Sequence, residues 1–140
     1  MGTQEGVYLM EFETKDSGTR AGFESGAVRD ISQGKGRYDL LPVLALRRLA
    51  QLYERGAIKY DAHNWEKGIP VWRMFDSGIR HANDALAGKI DEDHLAGAVW
   101  NLLGIMEYEE RLKAGMEEYG PLFSDMSTLY YRNKGITDAT

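Results

Sequence analysis

Between residues 42 and 115 the apolar side chains recur at spacings of three and four, which commits most of this chain to helices that each bury one side. From Pro42 to about Tyr60 the set is Leu46, Leu49, Ala50, Tyr53, Ala57 and Tyr60, with Gly56 a weak spot. A second helix is expected from about Val71 to Ala87 on Trp72, Phe75, Ile79, Ala82 and Leu86, ended by Gly88. Its opposite face carries Met74, Gly78, His81 and Ala85, too small and apolar for a face in water. Cover on both sides is therefore expected, inside a bundle or at a subunit contact. Asp91, Glu92 and Asp93 suit the positive end of a third helix, whose core stripe Leu95, Ala98, Leu102, Ile105, Glu109 and Leu112 runs to about Gly115.

The fold class that follows is all-α, one domain over residues 1–140 with a loop-rich arm (1–36) and a C-terminal tail (117–140). The arm contains Gly18, Gly22, Gly26, Gly34 and Gly36 and shows no helical period; only Val7 to Phe12 reads as a short strand or an extended arm. In the tail, Gly120-Pro121 marks a turn and Leu129-Tyr130-Tyr131 is an apolar patch suited to a partner subunit.

Composition narrows the chemistry. With 43% apolar and 28% charged residues the chain can build an ordinary core. No run reaches the roughly 18 apolar residues that span a bilayer, and Met1 to Gly6 carries Glu5 and no basic segment before an apolar stretch. A cytoplasmic protein without a membrane partner is expected. There is no cysteine, so a metal must be held by oxygen ligands and by His63, His81 and His94, which favours a hard cation. The net charge of −5 argues against a nucleic-acid polymer but allows a small anion neutralised by divalent ions.

The loop Gly34-Lys35-Gly36-Arg37-Tyr38-Asp39-Leu40-Leu41-Pro42 offers two cations on a glycine-loosened backbone. It suits a phosphate, with Lys35 a point charge and Arg37 a planar fork, and Asp39 is placed to cap the helix that Pro42 opens. The ordinary alternative is a flexible basic loop plus a helix cap. His94 and Asn101 are seven apart and lie within about 20° on the third helix, facing one ligand or making routine boundary hydrogen bonds. Arg80, His81 and Asp84 share one turn of the second helix, as a site or as an exposed ion pair. Glu54 of the first helix and Asp84 are the carboxylates that would hold a divalent cation if they converge. Asn64 beside Trp65 can read and stack on a base, or Trp65 can plug the core. Lys59 ends the first helix, where it favours the helix dipole and can meet a phosphate.

Two familiar sites are excluded. A Walker loop needs glycine where Arg29 stands and Ser or Thr where Gly36 stands. A His-Asp metal phosphohydrolase needs that dipeptide, whereas Asp93-His94 reverses it.

With these residues in place the chain resembles the phage and bacterial dATP/dGTP diphosphohydrolases, the MazZ-type relatives of MazG-like nucleoside triphosphate pyrophosphohydrolases. The resemblance rests on Gly26-Ala27-Val28-Arg29-Asp30, the loop Gly34 to Pro42, Tyr53-Glu54-Arg55-Gly56 with Lys59-Tyr60, Asn64-Trp65-Glu66-Lys67-Gly68, Arg80-His81, and His94-Leu95-Ala96 with Trp100-Asn101. It implies a MazG-like helical bundle and a homo-oligomer, dimer or tetramer. The implied reaction splits a purine deoxynucleoside triphosphate between the α and β phosphorus atoms with Mg²⁺ or Mn²⁺. In phages that replace adenine with 2-aminoadenine, such an enzyme supplies dGMP. MazG-like enzymes carry Glu-x-x-Glu and Glu-x-x-Asp, and the corresponding positions here hold Arg80 or His81 with Asp84, then Asp93 or His94 with Gly97. The carboxylate set is thinned, leaving Glu54, Asp84 and Asp93 as oxygen ligands and His94 and Asn101 in place of missing carboxylates. The same thinning suits a competing class, a helical protein that binds a nucleotide or partner without turnover.

Overall fold

The computed structural model describes residues 12–124. The strand expected at Val7 to Phe12 and the patch Leu129-Tyr130-Tyr131 fall largely or wholly outside them. The chain divides into two compact units, one ending at Leu41 and one beginning at Pro42, so the arm runs five residues past the boundary read from sequence.

The N-terminal unit contains a hairpin that the sequence reading missed. Strand β1 (Arg20–Gly22) pairs antiparallel with β2 (Val28–Asp30), Arg20 opposite Asp30 and Gly22 opposite Val28. Gly26 makes the turn at φ +87°, a conformation that side chains resist. Asp30 ties the unit together by accepting from the Ser17 N–H (3.1 Å), the Ser17 hydroxyl and Lys35 Nζ (3.2 Å), contacts that hold its carboxyl down at about 2. Three-residue strands are too short for a period of two to register.

The second unit is helical, as expected. Helix α1 (Val43–Lys59), α2 (Val71–Leu86) and α3 (His94–Lys113) match the sequence-derived bounds to within a few residues. Pro42 is the residue before α1 and no side chain caps the helix. The capping role expected of Asp39 is thus corrected: its carboxylate accepts from Arg37 Nε (2.8 Å) and Nη2 (2.7 Å).

A further correction concerns which faces are buried. The side of α2 against α3 is the small one, Val71, Met74, Gly78, His81 and Ala85, while Ile79 (64%) and Leu86 (87%) of the larger stripe are exposed. On α3 the buried line is His94, Gly97, Asn101, Gly104 and Tyr108 together with Ala98 and Ile105, whereas Leu95 and Leu102 face outward. Glycine decides this. A Cβ at Gly97 would stand 3.0 Å from the His81 ring, one at Gly78 3.2 Å from Asn101 Cβ, and one at Gly104 would meet the tip of the Met74 side chain. Three missing side chains let two helices approach closely and lock one register.

The core proper gathers Val71, Met74, Ile105, Tyr108, Tyr119 and Phe123. Tyr119 and Phe123 come from a 3₁₀ stretch, Glu117–Phe123, so the segment read as a tail from residue 117 begins inside the core. The Tyr108 hydroxyl donates to the Trp65 carbonyl (2.6 Å) and accepts from the Ile69 N–H (3.0 Å), and that of Tyr119 donates to the Glu66 carbonyl (2.8 Å). These bonds fasten the Asn64–Lys67 turn to α3 through Tyr108 and to the 3₁₀ stretch through Tyr119.

Candidate active site

The seven residues between α2 and α3 fold back on the helix they leave. Gly88 takes φ +78°, and the Lys89 N–H donates to the Asp84 carbonyl (3.1 Å). The reversal lays Lys89 Nζ 3.1 Å from Asp84 Oδ1, the partner that Arg80 was placed to be. Among the described residues Arg80 instead reaches Ser77 Oγ at 3.4 Å.

At the end of this turn Asp93 caps α3 by accepting from the Ala96 N–H (3.1 Å). The same carboxylate takes both arms of Arg48 from α1, Nε at 2.6 Å and Nη2 at 2.5 Å. The guanidinium above all, and then the cap, hold the Asp93 carboxyl at about 2 against the opposing effect of burial. Both Asp93 oxygens are therefore engaged, rather than open as the expected metal ligands would be.

One residue further, His94 is buried at 3% exposure. Its Nε2 lies 2.8 Å from Asp91 Oδ1, and the imidazole holds the Asp91 carboxyl below its usual range. Its Nδ1 lies 2.9 Å from Nδ1 of His81 and 4.0 Å from Asp84 Oδ2. The two rings are tilted by 40° with centroids 5.2 Å apart. Thus His81, Asp84 and His94, chosen from sequence, do meet, and the α2–α3 seam brings them together. His81, Glu92 and His94 each offer a ligand atom to one point, all within 4.8 Å of one another, and so could hold a metal ion.

Beside this cluster a cleft of about 660 Å³ is lined by Arg48, Arg55, Lys89, Asp91, Glu92, Asp93 and His94. It is roomy enough for a nucleotide-sized ligand. Arg48, Arg55, Lys89, Asp91 and Glu92 were absent from the sequence-derived site. The available signal was that Arg48 and Arg55 are seven apart, one line along α1.

The other expected residues of the helical unit stand elsewhere on it. Asn101 is buried on the seam, donating from Nδ2 to the Gly97 carbonyl (2.8 Å), the routine bond of the ordinary reading. Trp65 packs against the core with the Arg111 guanidinium 4.7 Å from its ring centre, as a plug does. Asn64 next to it is half-buried. Lys59 lies over the Tyr60 ring. Lys35 and Arg37 belong to the N-terminal unit, paired with Asp30 and Asp39. Glu54 is exposed and makes no hydrogen bond or ion pair among the described residues. It sits about 150° around α1 from the half-buried Leu49, Leu52, Tyr53 and Gly56, and no contact joins it to Asp84.

The profile described as dATP/dGTP diphosphohydrolase, N-terminal, matches residues 25–119, well over half of the chain. The chain belongs to the dATP/dGTP diphosphohydrolase family. No curated protein and no solved structure matches it. The stretch matched to the diphosphohydrolase family includes all of α1, α2 and α3, and with them the histidine cluster and the cleft.

Proposed function

We propose that this chain hydrolyses dATP or dGTP, dGTP by preference, between the α and β phosphorus atoms, releasing the monophosphate and pyrophosphate with the help of Mg²⁺ or Mn²⁺. The observation that carries the reading is the cleft itself: Arg48, Arg55 and Lys89 line it beside the imidazoles and carboxylates of the α2–α3 turn. Arg48 holds Asp93 with two parallel bonds, a fork that also fits two oxygens of a phosphate, so the triphosphate would have to take Arg48 from Asp93. Lys89 and Arg55 supply further positive charge for the triphosphate tail.

Asp84 is the carboxylate in this chain best placed to orient an attacking water, since Oδ2 faces the histidine pair and Lys89 holds the other oxygen. A bound divalent ion would supply charge neutralisation for the breaking bond. Glu54, on the outward side of α1, is assigned to the corresponding cluster of a second copy, so that two chains complete each site. A homo-oligomer is supported by the apolar side chains left outside: Leu95, Val99, Leu102 and Met106 on α3, and Trp72, Ile79 and Leu86 on α2. In a phage that uses 2-aminoadenine the product dGMP would feed synthesis of the modified purine.

The test is incubation of purified protein with each common nucleoside triphosphate and Mg²⁺ or Mn²⁺, followed by pyrophosphate detection. Release from dGTP or dATP together with the monophosphate is expected. Tight nucleotide binding with no pyrophosphate from any triphosphate would favour the non-catalytic class instead.

A further inference from the structure

We infer that His81 and His94 seat a first-row divalent transition ion through their Nδ1 atoms, with Glu92 as the carboxylate ligand, in preference to Mg²⁺; Co²⁺ and Zn²⁺ suit the two imidazoles best, and Mn²⁺, the hardest of the series, least. The inference deepens the proposed function, resting on its claim that a divalent ion is used.

The first argument is the spacing. Imidazole nitrogens bind such ions at about 2.1 Å, so two of them at right angles lie about 3.0 Å apart. The two Nδ1 atoms are 2.9 Å apart, so their separation already suits a shared ion, and the rings need only turn to aim both lone pairs at it. The second is protonation. Asp91 Oδ1 lies 2.8 Å from His94 Nε2, and since a carboxylate there can only accept, the neutral ring carries its proton on Nε2 and its lone pair on Nδ1, turned toward His81. A carboxylate behind an imidazole is the arrangement by which histidine ligands are oriented and made more basic. His81 then carries the Nδ1 proton of the pair, and a shift of that proton to its own Nε2 frees the second lone pair without net loss of charge.

The third argument is confinement. Gly97 backs the His81 ring so closely that a Cβ there would meet it at 3.0 Å, and His94 is buried on the other side. Two nitrogens among three ligand atoms disfavour Mg²⁺, which demands oxygen, and suit the later first-row ions. Asp84 Oδ2, 4.0 Å from His94 Nδ1, is a further oxygen close by. The hard cation favoured by the sequence reading followed from the missing cysteines, without knowledge that two histidines from different helices converge.

Chelator-treated full-length protein should take up one Mn²⁺ per chain by calorimetry, at least about tenfold more tightly than Mg²⁺. Pulsed electron paramagnetic resonance of the Mn²⁺ form should show coupling to imidazole ¹⁴N, and Co²⁺ should give a visible ligand-field band. His81→Gln should weaken Mn²⁺ by roughly 10–100-fold and reduce the nitrogen coupling. Glu92→Gln, on an exposed residue, should weaken the ion while the helical circular dichroism stays unchanged, which guards against a folding artefact. A Mn²⁺ ion with no ¹⁴N coupling, or Mg²⁺ bound as tightly as Mn²⁺, overturns the seat even if pyrophosphate is still released. A nitrogen-coupled ion in a protein that releases no pyrophosphate upholds the seat and overturns the proposed function.

Discussion

Asp93 shows how one residue can be legible by type and not by partner. An acid just before a helix was readable as a helix-terminus residue, and it does cap α3. Its strongest contact, Arg48, lies 45 residues away, and nothing local announces it. The pair makes a pH prediction with a definite sign. The folded carboxyl titrates at about 2, below its ordinary value of 3.8, so it stabilises the fold above about pH 4 and the contribution is lost as pH falls through about 2. Arg48 is half exposed, so solvent screens the pair, and with the cap the total is about 1–2 kcal/mol. Asp93→Ala should lower stability at pH 7 by that amount in a denaturant titration and flatten the acid limb below pH 4; an unchanged acid limb would remove Asp93 as its source. Tyr108 was invisible as a polar anchor because its partners are backbone atoms. Tyr108→Phe leaves a buried carbonyl and N–H without their partner and should cost about 1–3 kcal/mol, read by thermal melting.

At the scale of elements, the existence, order and bounds of the three helices followed from hydrophobic period, but the faces did not. Apolar residues cover a full half of α2 and encircle α3, so period alone cannot choose which line within them meets the neighbouring helix. The choice is made by Gly78, Gly97 and Gly104, whose lack of a side chain is what admits the neighbouring helix. His81 and His94 were in the sequence-derived site as separate residues on two helices, and their meeting is a product of that glycine seam. Gly97→Ala therefore separates helix stability from site geometry. The substitution favours the helix by about 0.5–1 kcal/mol, yet its methyl meets the His81 ring at 3.0–3.1 Å and pushes it by a few tenths of an ångström. Helical content and melting temperature should hold or change little, while Mn²⁺ affinity falls about tenfold. Equal affinity in the variant would mean that Gly97 does not position His81.

At the scale of the molecule, the apolar surface left outside is organised rather than scattered. Leu95, Val99, Leu102 and Met106 are spaced four, three and four, one straight stripe of α3 lying about 150° from the line of Gly97, Asn101, Gly104 and Tyr108. Single exposed apolar residues need no explanation, but a continuous helical stripe flanked by a second one on α2, exposed among the described residues, is the surface on which the proposed oligomer would pack. Light scattering should give a dimer or tetramer for the unmodified protein. Leu102→Glu sets a charge in the middle of the stripe without touching the core, the cleft or the histidine pair, and should shift the mass toward a monomer with unchanged helical content. If Glu54 serves the site of a neighbouring copy, this monomer keeps its Mn²⁺ and loses most pyrophosphate release. Mixing inactive Glu54→Gln with inactive Asp84→Asn chains should then restore turnover, because some mixed sites join an intact Glu54 to an intact Asp84. A Leu102→Glu monomer of full activity, or a mixture with no recovery, would place the whole reaction within one chain.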